Sequence, residues 1–329
     1  MKPLVIGHRG ASGYRPEHTR SAYELAVALG ADAVEPDIVA TRDGVLVLRH
    51  ENEISGTTDV AERAEFASRR TTREVDGQRL TGWFTEDFTW AELATLRARE
   101  RIGAIRASSA TFDGRFPILR LADLFELLDT ASEERGSGVG MVAEIKHATH
   151  FAEAGLPLDE LFAAEAAEAG WALDDDRVTF EAFELDVLDR LGARSAGSRR
   201  VFLLEDAGAP FDQVRARGAD ALPYAQYLTP AGLDGLVGRV DGISIPKNLV
   251  LATSGPGLIG EAHARDLAVF TWTLRPENRF LAAEHRRGRD KAAFGDWPTE
   301  FAAILGAGVD GIFVDHPDLG VEARASFIG

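Results

Sequence analysis

The sequence predicts a (β/α)8 barrel, and two observations support this fold class. Eight short apolar runs alternate along the chain with longer amphipathic stretches, a pattern typical of parallel strands joined by covering helices. The chain has 329 residues, which suits eight such units because a barrel of this kind typically takes about 250 residues before insertions. A doubly wound open sheet is the alternative, but no Gly-x-Gly-x-x-Gly turn follows the first strand.

The predicted barrel strands are short apolar segments bounded by glycine or polar residues. Two further segments, at 45–50 and 221–224, are weaker candidates. The eight stronger segments are PLVIGH (3–8), DAVEPDIV (32–39), GMVAEIK (140–146), RVTFEAF (177–183), RVFLLE (200–205), VDGISIP (240–246), LAVFTWTL (267–274) and VDGIFVDHP (309–317).

The first amphipathic stretch, TRSAYELAVALG (19–30), predicts a helix after the first strand. Ser21 and Glu24 have the spacing of a capping box, in which each side chain accepts a hydrogen bond from the backbone at the helix start. Gly30 is a natural end for this helix because glycine readily takes the left-handed conformation.

One region, 52–117, lacks the strand–helix alternation and is rich in arginine, glutamate and threonine. A short helix is predicted from Thr89, with Glu92 completing a capping box. We expect this region to form a small insertion subdomain between the second and third barrel strands, within a single domain spanning 1–329. A mobile surface loop is the alternative, although long structureless loops are uncommon in compact domains.

The composition narrows the possible partners and surroundings. The formal net charge of −17 argues against nucleic acid and anionic membrane surfaces, since both repel an acidic protein. The N-terminal residues show no signal peptide, and no window is apolar enough to span a membrane. We therefore expect a cytoplasmic protein without stable membrane insertion. With no cysteine the chain has neither disulfides nor thiolate ligands, and its oligomeric state does not follow from the sequence.

Acidic side chains gather where predicted strands end. Glu35 and Asp37 lie on one face of the second strand because strand side chains repeat every two residues, and Glu144 and Lys146 share that spacing on the third. The carboxyl ends of barrel strands meet at one mouth, where such carboxylates would repel each other unless a cation binds. Oxygen ligands favour Ca²⁺ or Mg²⁺. Structural salt bridges with arginine and lysine are the alternative.

Two histidines bracket these carboxylates in the sequence. His8 ends the first strand and His50 follows the second, and two imidazoles can supply one base and one acid in a single turnover. Arg9 and Lys146 add local positive charge, which suits phosphate oxygens. A metal ion, two histidines and two cations together indicate phosphoryl transfer rather than hydride transfer or proton abstraction.

Five motifs, in order and spread over most of the chain, resemble the glycerophosphodiester phosphodiesterase family. The residues of these motifs are similar to those of the larger branch of that family. Any one of them alone would be a weak signal, whereas five with consistent spacing are specific. The motifs are GHRGASGYRPEHT (7–19), VEPDIVATRDGVLVLRH (34–50), AEIKHAT (143–149), FTWTLRPEN (270–278) and DGIFVDHP (310–317).

The resemblance implies a barrel enzyme that hydrolyses small-molecule glycerophosphodiesters to sn-glycerol 3-phosphate and an alcohol. His8 and His50 would be the general acid–base pair, with His8 as the base, and a neighbouring glycerol hydroxyl would attack phosphorus to give a cyclic phosphate that water then opens. The same resemblance implies Ca²⁺ or Mg²⁺ as the cofactor. The implied metal ligands are Glu35, Asp37 and Glu144, and the implied substrate contacts are Arg9, Lys146, Trp272 and Glu17.

Two positions depart from the family pattern, and three other functions stay open. Glu51 follows His50 where aspartate is usual, which could alter how that imidazole is oriented, and His18 stands where many members have asparagine. The rivals are a related barrel phosphodiesterase acting on a lysophospholipid or a sugar phosphodiester, a barrel that binds phosphate metabolites without turnover, and a Mg²⁺-dependent isomerase or lyase with a lysine base.

Overall fold

The computed structural model describes residues 2–328 and contains a closed barrel of eight parallel strands surrounded by helices. This confirms the predicted fold class. The strands in the described part of the chain are β1 (Leu4–His8), β2 (Ala33–Glu35), β3 (Asp37–Ala40), β4 (Leu46–Leu48), β5 (Thr71–Val75), β6 (Gln78–Gly82), β7 (Gly140–Ile145), β8 (Val178–Ala182), β9 (Arg199–Leu203), β10 (Gly242–Pro246), β11 (Ala268–Leu274) and β12 (Gly311–Val314).

The second barrel strand consists of two pieces, β2 and β3, separated by Pro36. Both pieces pair in parallel with β7, and β1 pairs with β2 on one side and with β12 on the other, which closes the ring. All eight strong strand predictions are confirmed. Of the weaker two, the segment at 45–50 contains β4, which pairs antiparallel with β3, whereas 221–224 is not a strand because it leads into a helix.

Helices cover the outside of the barrel between successive strands. They are α1 (Arg20–Ala28), α2 (Trp90–Leu93), α3 (Ala107–Ala110), α4 (Leu121–Arg135), α5 (Ala148–Glu153), α6 (Leu158–Glu168), α7 (Leu185–Arg194), α8 (Phe211–Arg217), α9 (Tyr224–Tyr227), α10 (Pro230–Asp234), α11 (Lys247–Leu251), α12 (Gly255–His263), α13 (Trp297–Gly306) and α14 (Pro317–Ile328).

The start of α1 differs from the prediction. Thr19, rather than Ser21, is the N-cap, and its hydroxyl accepts a hydrogen bond from the backbone N–H of Ala22. The predicted box of Ser21 with Glu24 is therefore wrong, because helical geometry begins two residues earlier than that spacing requires. The helix stops before Gly30, which has a φ of 89° as its predicted role demands.

The region 52–117 is folded and packed rather than a bare loop. It contains the antiparallel hairpin β5–β6, short 3₁₀ turns and the helices α2 and α3. The Trp83 indole donates a hydrogen bond to the Phe66 carbonyl at 2.7 Å, and the Phe66 ring packs edge-on against Phe88. The capping box of Thr89 and Glu92 is present, although the helix that it starts is a single turn.

The barrel interior explains how the strands present polar groups at one end. A small apolar cluster inside the barrel contains one residue from each of six strands, namely Ile6, Ala33, Val142, Val201, Phe270 and Phe313. Side chains two residues further along the same strands point the same way, so His8, Glu35, Glu144, Trp272 and Asp315 stand above this apolar floor.

Among residues 2–328, no helix combines the length and the apolar character that crossing a membrane requires.

Candidate active site

A cavity of about 1000 Å³ opens where the barrel strands end. Barrel enzymes place their chemistry at this end because the side chains and loops of all eight strands converge there. Seven of the nine site residues predicted from the sequence line the cavity: His8, Arg9, Glu35, His50, Glu144, Lys146 and Trp272.

His8 is held by a buried carboxylate. Its Nδ1–H donates to Asp315 Oδ1 at 2.6 Å, and the other oxygen of Asp315 accepts from Arg275 Nε at 2.6 Å and from Arg106 Nη2 at 2.5 Å. Burial and the neighbouring charge of Arg9 lower the pKa of His8 to about 4. The ring is therefore neutral at pH 7, and because Nδ1 carries the proton, Nε2 is the nitrogen that can accept one.

His50 has a parallel arrangement with a different carboxylate. Its Nδ1 lies 2.5 Å from Glu51 Oε1, and Arg101 donates to both oxygens of Glu51 at 3.0 and 2.6 Å. Burial and the charges of Arg9 and Lys146 lower the pKa of His50 to about 3 in the ligand-free protein. Glutamate at position 51 therefore still reaches the imidazole, despite the departure from the family pattern.

Three buried carboxylates, Glu35, Glu144 and Glu181, offer oxygens that all lie within 4.8 Å of one another. Glu35 Oε1 and Glu181 Oε2 are buried and have no hydrogen-bond partner. Burial raises the pKa of Glu35 and of Glu181 well above the usual range, and it raises that of Glu144 to about 8. Ionising three carboxylates in such a buried position costs free energy unless a cation neutralises their charge.

Asp37, which was predicted as a further ligand, lies opposite Glu144 in the parallel register of β3 and β7 and also contacts basic side chains. Its Oδ2 is 3.2 Å from Arg9 Nε and 2.9 Å from His18 Nε2, and its Oδ1 is 3.6 Å from Lys146 Nζ. Burial acts to raise the pKa of Asp37, but the charge of Lys146 and these other neighbours outweighs it and holds that pKa well below its usual value.

The carboxylates whose oxygens lie within 4.8 Å of one another thus include Glu181, which the sequence analysis did not predict. Glu181 was missed although a signal was present, since it is the one acid in the apolar segment RVTFEAF. It lies on β8 directly beside Glu144 of β7 in the parallel register, which brings the two carboxylates together.

Glu17, which was predicted as a substrate contact, is buried and is not among the residues that line the cavity. Both of its oxygens are occupied by arginines: Oε2 lies 3.2 Å from Arg9 Nη1 and 2.7 Å from Arg101 Nε, and Oε1 accepts from Arg101 Nη2 at 2.7 Å. The backbone N–H of Arg9 donates to Glu35 Oε2 at 2.8 Å. Glu17 therefore anchors Arg9 from behind.

The cavity also has aromatic side chains and part of the insertion in its lining. The rings of Trp272 and Phe183 meet edge to face at 5.9 Å between centroids, and Tyr224 stands beside Phe183. The turn of the hairpin β5–β6 also lines the cavity, where Asp76 Oδ2 lies 2.5 Å from His147 Nδ1. Charged groups and aromatic rings thus lie close together, since Lys146 Nζ is 5.7 Å from the centroid of the Phe183 ring.

Comparison with known proteins gives a consistent family. Residues 8–319 match the glycerophosphoryl diester phosphodiesterase family. A glycerophosphodiester phosphodiesterase of Arabidopsis thaliana is 30% identical over 95% of this chain and 84% of its own length. One from Haemophilus influenzae is 26% identical over 97% of this chain and 89% of its own.

Solved structures share the fold. A phosphodiesterase of Oleispira antarctica, in complex with the product sn-glycerol 3-phosphate, has a TM-score of 0.66 at 18% identity, covering 98% of this chain and 97% of its own. A glycerophosphodiester phosphodiesterase of Agrobacterium tumefaciens has a TM-score of 0.59 at 20% identity, covering 98% and 99%. At these identities the likeness concerns the barrel.

Proposed function

We propose that this chain, which belongs to the glycerophosphoryl diester phosphodiesterase family, hydrolyses glycerophosphodiesters to sn-glycerol 3-phosphate and an alcohol by metal-dependent general acid–base catalysis. One observation carries the proposal: a single cavity joins two carboxylate-backed imidazoles, His8 and His50, with a buried carboxylate group and the cations Arg9 and Lys146.

His8 is suited to act as the base of the first step. The imidazole is neutral and is held through Nδ1, so its Nε2 can accept a proton. It takes that proton from the glycerol hydroxyl next to the phosphodiester while the hydroxyl oxygen bonds to phosphorus. The bond from phosphorus to the other alcohol breaks, and His50 donates a proton to the departing oxygen. His50 must be protonated for this step, and the negative charge of a bound phosphodiester favours its charged form.

The second step reverses these roles. Water attacks the cyclic phosphate, His50 removes its proton, and His8 returns a proton to the glycerol oxygen as its bond to phosphorus breaks. Each histidine thus ends the cycle in its starting protonation state.

Arg9 and Lys146 are the proposed phosphate contacts. Both are buried and line the cavity, and both carry a full positive charge because carboxylates surround them, raising the pKa of each above its usual value against the effect of burial. Their charges would offset that of the phosphate oxygens in a site where little water competes. Trp272 is proposed to flank the glycerol moiety.

A hard divalent cation, Ca²⁺ or Mg²⁺, fits the buried carboxylates. The fit rests on the unpartnered oxygens Glu35 Oε1, Asp37 Oδ1 and Glu181 Oε2, and on an all-oxygen donor set. We propose Glu35, Asp37 and Glu144 as ligands, with Glu181 as an additional one. When bound, such an ion would withdraw charge from the phosphate oxygens.

The contribution of Glu181 is tested by comparing Glu181→Gln with Glu35→Gln. Calorimetric titration with Mg²⁺ and Ca²⁺ should show weaker binding for both variants, because each removes a carboxylate from the group. An unchanged affinity in Glu181→Gln beside a lost affinity in Glu35→Gln would remove Glu181 from the ligand set.

The reaction is tested by a coupled assay for released glycerol 3-phosphate with a panel of glycerophosphodiesters, a lysophospholipid and a sugar phosphodiester. We expect release from the glycerophosphodiesters, loss of release with a chelator and recovery with Ca²⁺ or Mg²⁺. Faster hydrolysis of the lysophospholipid or the sugar phosphodiester would favour the related phosphodiesterase, and binding without turnover would favour the non-catalytic barrel.

A further inference from the structure

Two arginines of the insertion lie five positions apart, and each contacts the carboxylate behind a different imidazole. Arg101 donates to both oxygens of Glu51, which binds His50. Arg106 donates to Asp315, which binds His8. The carboxylates themselves come from distant parts of the chain, so the insertion is the segment that touches both.

The backbone between these arginines is a compact turn. The N–H groups of Ile105 and Arg106 both donate to the Ile102 carbonyl, at 2.7 and 3.0 Å. Such a turn fixes the backbone separation between residues 102 and 106. The backbone of Arg101, the residue before this turn, is therefore held close to that of Arg106.

Each arginine is anchored by a second acceptor. Arg101 also donates to Glu17 at 2.7 Å, and Arg106 donates to Glu277 at 2.7 Å and to the Ser12 carbonyl at 3.1 Å. The Arg106 side chain is only 6% exposed. Several directional hydrogen bonds from a planar guanidinium define both the position and the plane of the carboxylate that it holds.

We infer that Arg101 and Arg106 are positioning residues of the proposed reaction, which hold Glu51 and Asp315 so that both imidazoles present Nε2 to the substrate. This inference rests on the proposed acid–base roles of His8 and His50. The insertion thereby becomes part of the catalytic apparatus without touching the substrate, since the carboxylate behind an imidazole sets its tautomer and its orientation.

The test compares Arg101→Gln and Arg106→Gln with Arg99→Gln, which removes an exposed arginine of the same insertion paired with Glu62. With sn-glycero-3-phosphocholine as substrate, we expect kcat to fall about ten-fold in the first two variants, with a smaller change in KM, because an oriented acid–base group is worth 10²–10⁴-fold. Arg101→Lys should recover part of the loss, and Arg99→Gln should match the unmodified protein.

Nitrogen NMR of histidine-labelled protein supplies a readout that a purely structural role would not move. Arg101→Gln should change the ring-nitrogen signals of His50 and spare those of His8, and Arg106→Gln should do the reverse. Since Arg106 is buried, Arg106→Lys, which keeps the charge, serves in its place if the glutamine variant does not fold.

A double variant shows whether Arg101 acts through Glu51. In a Glu51→Gln background, Arg101→Gln should cost little further activity, because the group that it positions is already altered. Fully additive losses, or unchanged histidine signals in both arginine variants, would overturn the inference. If the unmodified protein does not hydrolyse the substrate, the proposed function fails, whereas the histidine signals still decide the positioning claim.

Discussion

His8 and His50 each belong to an assembly in which the imidazole contacts a carboxylate and the carboxylate contacts arginine. The two assemblies have very different surroundings. In the assembly of His8 the side chain of Asp315 is 1% exposed, and two arginines share its second oxygen. In the assembly of His50 the side chains of His50 and Glu51 are 29% and 35% exposed, and Arg101 alone holds the carboxylate among the residues described. One assembly is built into the barrel, and the other lies at its rim.

This difference separates two ways of fixing an imidazole. Around His8 the protein interior excludes water and the geometry follows from packing, so the orientation of the imidazole does not depend on solvent. Around His50 the geometry depends on a partly solvent-accessible ion pair, which salt and water weaken. The two proposed acid–base groups therefore differ in how firmly the surrounding protein fixes them.

Removing the base should have the largest effect. His8→Ala should reduce kcat by 10² or more while the fold is retained, because a general base typically contributes at least that factor. The measurement is turnover together with circular dichroism, and His263→Ala, at an exposed histidine far along the chain, is the control. Near-normal turnover of His8→Ala would eliminate its proposed role.

Changing the two carboxylates should reveal their unequal surroundings. Asp315→Asn should lower kcat by about 50-fold and Glu51→Gln by about 10-fold. An oriented acid–base group typically raises the rate at least 10²-fold, and the buried surroundings of Asp315 can adjust to the substitution less than those of Glu51. Thermal unfolding should accompany the assay because Asp315→Asn removes the buried carboxylate that Arg106 and Arg275 share. Equal losses would show that burial does not distinguish the two assemblies.

His316 sharpens the comparison because it is buried beside Asp315 in sequence but its Nδ1 has no hydrogen-bond partner. Burial lowers the pKa of His316 to about 4, so the unfolded chain binds more protons than the folded one below pH 6.5. Protonation of His316 in the unfolded chain therefore lowers the free energy of unfolding. This effect is absent well above pH 6.5 and grows as the pH falls towards 4.

Comparing unmodified protein with His316→Gln in urea therefore gives a pH-dependent difference. The free energy of unfolding of the unmodified protein should fall by about 2 kcal/mol more than that of the variant between pH 7.5 and 5, a factor of about 30 in the unfolding equilibrium. A difference that is the same at both pH values would contradict a neutral, buried His316.

The smallest expected effect concerns the hairpin β5–β6, which closes one side of the cavity. Asp76→Asn weakens the contact with His147 and should raise KM about three-fold for substrates with a large leaving alcohol, as expected for one partly buried pair at the rim of the cavity. A minimal substrate should be unaffected. The control is Glu74→Gln on the same hairpin, whose side chain is exposed, and equal changes for all substrates would make the hairpin purely structural.

The sequence predicted the features that depend on local periodicity. Strand spacing places His8, Glu35 and Glu144 at the carboxyl ends of apolar segments, and the barrel then brings them to one cavity. Asp37 also has the right spacing and lies directly opposite Glu144 in the parallel register of β3 and β7. Spacing did not reveal that Pro36 divides its strand or that Arg9 and Lys146 also pair with its carboxylate.

Contacts between distant segments were not predictable from spacing. Arg106 reaches Asp315 across 209 positions and Glu277 across 171, and nothing in the local sequence marks it among the arginines of the insertion. The contact of Glu17 with Arg101 was not predictable for the same reason, since only the folded chain brings the two residues together. A side chain that orients another residue does not have to follow the hydrophobic periodicity from which strands and helices are predicted.

The division of labour between the imidazoles is the central claim, and the acidity of the leaving alcohol tests it most directly. Because His50 also serves the second step of the proposed reaction, alcohol release in a single turnover of His8→Ala and His50→Ala should be measured with glycerophosphocholine and with glycerol phosphate esterified to p-nitrophenol, which departs without needing a proton. We predict that the p-nitrophenyl substrate restores most of the release rate of His50→Ala and little of that of His8→Ala. Equal recovery in both variants, or recovery of His8→Ala alone, would contradict the assignment.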